Sequence, residues 1–215
     1  MFRPAKISFS VRLSLLGGAL LLTGCPQPIQ QTENQSRETD GEHAAYAPQE
    51  PEEPGDPMDP PTVTLANWAE VEERIAVHSG KVVVVDLWST SYEPCKREFP
   101  HLVELHRQHK ADDVVCMAVS LDYYGDETEP PESFRPAVEK FLSTQEANFP
   151  NFICTDSSDD VYTKVNSFGV PIVLVYGPDG KLAKTFEDDG SYGDEGFTYK
   201  DHIAPLVVEL NEESP

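Results

Sequence analysis

The chain is poor in positive charge and poor in thiols. Its 215 residues hold 16 Lys and Arg against 38 Asp and Glu, a formal net charge of −22. A surface this acidic repels phosphate backbones, which excludes nucleic acid as a partner. Cysteine occurs four times, as Cys25, Cys95, Cys116 and Cys154. With Cys25 assigned to lipid, as argued below, the other three can form at most one internal disulfide, so at least one thiol stays buried, capped or reactive in an oxidising compartment. The sequence also lacks an internal repeat, a glycine-rich phosphate loop and a Ser-His-Asp arrangement. No cofactor is expected. No metal is expected either: His101, His106 and His109 ride on one predicted helix, but further ligands are missing, and a solvated helix face is the simpler reading.

What is present begins with a leader. Residues 1–12 carry Arg3, Lys6 and Arg12 and no acid, and they run into LSLLGGALLL, which is shorter than the ~20 apolar residues a membrane span needs. Small residues follow, in Leu22-Thr23-Gly24-Cys25. This is the pattern of a secretory signal, and it resembles the bacterial lipobox, in which the cysteine is lipidated and becomes the first residue after cleavage. Residues 1–24 are therefore expected to be a lipoprotein signal peptide and Cys25 the lipidation site, placing the rest of the chain in the cell envelope. From residue 26 to 61 there are eight prolines and few large apolar residues. Such a segment cannot offset the entropy of ordering and reads as an acidic, Pro-rich tether over 25–61. A folded domain is expected over 62–215.

Within that domain, Asn67 can cap a helix with Trp68, Val71 and Ile75 at helical spacing. KVVVVDLW is a β-branched run that reads as a strand covered on both faces. A helix is predicted from Glu93 to about Lys110, a strand over VVCMAVSLD, a helix over roughly 134–147, a strand at NFIC and a helix over 158–166. GVPIVLVYGPDGKLAKTFE splits at Gly177-Pro178-Asp179-Gly180 into a hairpin. An amphipathic segment over 200–210 closes the chain. From the first strand onward the order β-α-β-α-β-α-β-β-α implies an α/β fold, a central mixed sheet with helices on both faces.

LWSTSYEPCKREFPHL resembles the active-site stretch of the thioredoxin-like TlpA/ResA group of membrane-anchored thiol-disulfide oxidoreductases, approximately F-W-A-T-W-C-P-P-C-R-x-E-x-P. Trp88, Thr90, Pro94, Cys95, Glu98 and Pro100 fall in register. The resemblance continues through VSLD at 119–122, NFP at 148–150 and Phe168-Gly169-Val170-Pro171. It implies a thioredoxin-like fold over about 62–210, a cis bond before Pro171, and an extended substrate laid along the backbone there. It also exposes a departure. Where the group has its attacking cysteine, this chain has Tyr92, and only the resolving-type Cys95 remains. A phenol with a pKa near 10 is no reversible redox couple, so ordinary dithiol exchange through this pair is excluded. Peroxidase readings that need a reactive residue at the same helix start fall with it.

Three functions stay open at this level. The first is an exported protein that binds a protein or peptide in a groove beside Trp88, Tyr92 and Pro171. The second is an oxidoreductase using Cys95 alone or with Cys116 or Cys154, the last two lying on strands that the resemblance places near one sheet edge. The third is an assembly role in the cell envelope. Cys95 is expected to be shielded by Trp88, Pro171 and its own helix, with Glu93 opposing thiolate formation.

Overall fold

The computed structural model describes residues 61–109, 113–193 and 196–212. The expectations for a signal peptide over 1–24, a tether over 25–61 and a lipidated Cys25 fall outside these residues, apart from Pro61. Among the described residues no helix is long and apolar enough to cross a membrane.

Among the described residues six strands make one sheet: β1 (Val63–Ala66), β2 (Val82–Trp88), β3 (Val114–Ser120), β4 (Asn151–Cys154), β5 (Ile172–Tyr176) and β6 (Leu182–Glu187), in the order β1-β4-β3-β2-β5-β6. The first four run parallel to one another, while β5 is antiparallel to both β2 and β6. The mixed sheet expected from the sequence is thus present. β1 is an addition to it. Only four residues long and lying at the sheet edge, it pairs Val63–Ala66 with Asn151–Cys154, and its mixed burial leaves no run of the kind that betrays β2.

The described residues form five α-helices that cover the sheet: α1 (Trp68–Ala76), α2 (Glu93–Gln108), α3 (Arg135–Gln145), α4 (Ser158–Val165) and α5 (Ala204–Glu212). α1 starts where the sequence says it should, with Asn67 accepting from the Glu70 N–H and the Glu70 carboxylate returning the bond to the Asn67 N–H. α2 continues through Pro100, and Pro94 sits in its first turn, where a missing N–H costs nothing. A 3₁₀ turn over Pro131–Phe134 leads into α3, and a π-helical turn over Tyr199–Ile203 leads into α5.

Alternation along β2 divides the core. Val82, Val84 and Trp88 face a layer built from α2, α3 and α5, whereas Val83, Val85 and Leu87 face α1 and α4. Because both faces are covered, every residue of β2 and β3 is buried. The turn between β5 and β6 closes as the Gly-Pro-Asp-Gly pattern requires, with the Gly180 N–H bonded to the Gly177 carbonyl and Gly180 at φ +75°.

Candidate functional site

At the carboxyl end of β2 the chain turns through Ser89, Thr90 and Ser91 into α2. This turn is held by Asp122, two residues past the end of β3. The carboxylate accepts from the Ser89 hydroxyl at 2.6 Å, the Thr90 N–H at 2.9 Å, the Thr90 hydroxyl at 3.0 Å and the Ser120 hydroxyl at 2.6 Å. It is buried, and four donors compensate its desolvation. The Leu121 N–H adds a bond to the Trp88 carbonyl at 2.8 Å, which joins the ends of β2 and β3. The acid is part of the VSLD motif, but its role as the anchor of the turn comes only from the structure.

Tyr92 occupies the cap position of α2 with extended backbone angles and makes no side-chain cap bond. Its side chain is 42% exposed. One turn further, Cys95 is 2% exposed and packs in the same core layer as Trp88 and Phe99. Its thiol is pushed up from 9.0 to about 12, first by burial, then by the negative charges of Asp86 and Asp122, with a backbone hydrogen bond at Ser89 opposing. The opposing acid expected from the sequence was Glu93. That residue is instead exposed and paired to Lys96 at 2.7 Å, and the charges that act on Cys95 come from the ends of β2 and β3.

Trp88 also departs from expectation. It does not line a groove: its ring is wholly buried, 5.0 Å from Phe99 and 4.8 Å from Phe141 between ring centroids. The hydrophobic payload of an indole goes to the core, and the rim is left to other residues. The Val170–Pro171 bond is cis, as the resemblance implies, and Pro171 itself is buried. Beside it stands Tyr162 from α4, where helical spacing alone gives no sign of a role in a site. Its hydroxyl is hydrogen-bonded to the Val170 backbone, and it lies within electrostatic reach of Cys95, Tyr124 and Asp159. Burial raises its pKa above the usual value.

Beneath Cys95 lies Asp86, the one acid in the apolar run of β2. Burial lifts its carboxyl from 3.8 to about 7, the Tyr199 hydroxyl bonded to it at 2.6 Å pulls the other way, and the charge of Glu98 adds to the rise. A carboxyl inside a fully buried strand is a signal readable in sequence, since such a group must find a partner. The partner itself, 113 residues away, is not.

The three described cysteines are all free and buried. Cys116, on β3, shares the α2 layer with Cys95, and its thiol is pushed well up by burial and by Asp86. Cys154, on β4, belongs to the opposite layer, with α1 and α4, and its thiol rises to about 11. Their strands β3 and β4 are neighbours, third and second from the β1 edge, but the side-chain directions differ, Cys116 facing one core layer and Cys154 the other. The sheet separates Cys154 from the other two. His106 is not on a solvated face either: its ring packs edge-on against Phe149 at 5.2 Å, and burial lowers its pKa. Among the described residues, no group of three or more His, Cys, Asp or Glu is placed to hold a metal ion.

This sheet order, the cis-proline loop facing the start of α2 and the cysteine in the first turn define a thioredoxin-like domain. A solved thioredoxin-like superfamily protein agrees in fold, with a TM-score of 0.51 at 17% identity over 66% of this chain and 87% of that one. The chain belongs to the AhpC/TSA family, whose model matches residues 55–187. Its sequence relatives include the thiol-disulfide oxidoreductase ResA of Bacillus subtilis, 30% identical over 105 residues, which are 49% of this chain and 52% of that protein. ResA of Geobacillus kaustophilus is 30% identical over 122 residues, 57% of this chain and 63% of that protein. The match thus spans only about half to two thirds of these relatives.

Proposed function

We propose that this chain is an exported, lipid-anchored, thioredoxin-like protein that binds a protein or peptide along the backbone next to Pro171 and does not carry out dithiol exchange. The observation that carries this reading is the contrast at the start of α2. Tyr92, standing where the resemblance puts the attacking cysteine, is exposed, whereas Cys95 is 2% exposed with a thiol pushed up to about 12. Exchange needs a thiolate that can reach a disulfide, and burial with the nearby charges of Asp86 and Asp122 keeps Cys95 protonated at neutral pH. What the site offers to solvent is aromatic surface and backbone. That suits recognition better than electron transfer.

The alternative, exchange through Cys95 with a second thiol, is favoured only by the shared layer of Cys95 and Cys116. Both thiols are buried and held protonated there, which argues against turnover.

Hydrogen exchange on the full chain tests the binding function. With a short extended peptide carrying an aromatic residue, protection is expected to rise in 89–95, 122–126 and 158–171 and nowhere else. Protection confined to other segments contradicts it.

A further inference from the structure

Three aromatic side chains project from the same end of the sheet. Tyr92 is 42% exposed, Tyr124 64% and Phe168 97%. Tyr162 lies among the segments that carry them: its hydroxyl is hydrogen-bonded to the Val170 backbone, two residues beyond Phe168, and Tyr124 and Cys95 act on it electrostatically, Cys95 being one turn into the helix that Tyr92 begins. Large apolar side chains exposed at one end of a sheet mark an interaction surface.

The rim of this patch carries charge of one sign. The segment that follows Asp122 contains Asp126, Glu127 and Glu129, all exposed, and no basic residue as far as Glu132. It is fastened to α4 by the Ser158 N–H, which bonds the Tyr123 carbonyl at 2.8 Å, so its acids adjoin Asp159 and Asp160 in the first turn of α4. Basic groups here are already engaged. Lys96 is paired to Glu93 at 2.7 Å and Lys164 to Asp156 at 2.5 Å. The loop that ends at Pro171, residues 166–171, has no charged residue at all.

We infer that the occupant of this surface is a cationic, extended polypeptide segment, with an apolar or aromatic residue seated among Tyr92, Tyr124 and Phe168 and lysine or arginine residues reaching the acidic rim. This inference rests on the groove-binding function proposed above and names its partner class. The chemistry is complementary in two ways. The rim attracts positive charge and repels acidic segments, which sets selectivity and speeds encounter. The exposed ring faces also accept ammonium and guanidinium groups directly.

The test is fluorescence anisotropy on the full chain with synthetic peptides: one with lysines flanking a central phenylalanine, one with glutamates in place of the lysines, and one with serine in place of the phenylalanine. The lysine–phenylalanine peptide is expected to bind, to weaken about tenfold between roughly 20 and 300 mM salt, and to outbind each of the other two by about fivefold or more. Combined Glu127→Gln, Glu129→Gln and Asp159→Asn is expected to weaken it by about tenfold. Glu72→Gln with Glu209→Gln removes charge at the other end of the sheet, where Glu72 faces Tyr176 and Leu210 lies against Gly177, and should change binding less than about twofold. Equal binding of the lysine and glutamate peptides, or equal loss in the two sets of variants, overturns the charge selectivity and leaves groove binding standing. Failure of both phenylalanine peptides to bind overturns groove binding itself.

Discussion

The Tyr199 hydroxyl donates a 2.6 Å hydrogen bond to the carboxyl of Asp86, joining the π-helical turn before α5 to the middle of the sheet. Both groups are buried, so this single bond ties the last described segment of the chain to the residue beneath Cys95.

Stability is therefore expected to depend on pH through Asp86. Its carboxyl binds a proton more tightly in the folded protein, at about 7, than in the unfolded chain, where the ordinary value of 3.8 holds. Unfolding between these values releases that proton, so the contribution is fully present below about pH 4 and is lost as pH rises through 7. The span corresponds to on the order of 4 kcal/mol. Asp86→Asn keeps an acceptor for Tyr199 and removes the titration. Urea unfolding at pH 5 and pH 8 should show a fall in wild type that the variant lacks, and parallel falls in the two proteins contradict the assignment.

Asp122 is expected to be the structural centre of the turn before α2. Asp122→Ala strips the acceptor from the Ser89, Thr90 and Ser120 donors and should cost roughly 2–4 kcal/mol in denaturant midpoints. It should also raise hydrogen exchange at 89–92. A loss below about 0.5 kcal/mol would show that the donors find other partners.

Tyr162 occupies the Val170 backbone that an extended ligand would use. Tyr162→Phe leaves the ring and frees the peptide group, so binding of the lysine–phenylalanine peptide should tighten by about two- to fivefold. Weaker binding would instead mean that the phenol contacts the ligand.

The native protein should resist thiol reagents. Quantified by mass spectrometry after brief treatment with iodoacetamide at pH 7.5, Cys95, Cys116 and Cys154 are expected to stay unmodified until the protein is unfolded. Native modification of Cys95 at the rate of a free thiol contradicts its burial.

Much of this architecture is legible in the sequence because the signals are local. The β-branched run of β2, the Asn67 capping box and the Gly177-Pro178-Asp179-Gly180 turn each announce an element from within a few residues. The site is less legible, because its determinants are contacts between distant segments. Trp88 reads from its motif as a groove wall, and only the packing of α2 and α3 on its ring makes it a core residue. Glu93 is near Cys95 in sequence, yet the charges that act on the thiol belong to Asp86 and Asp122. Tyr162 and Tyr199 look like ordinary helix residues, and only tertiary structure aims their hydroxyls at Val170 and Asp86.

The central claim is that Tyr92 and a buried Cys95 leave this domain without dithiol exchange. Insulin disulfide reduction by the full chain, run beside Tyr92→Cys and Cys95→Ser, tests it most directly. No turnover is expected in wild type or in Cys95→Ser, and measurable turnover is expected in Tyr92→Cys. Turnover in wild type that disappears in Cys95→Ser would contradict it and establish exchange through Cys95.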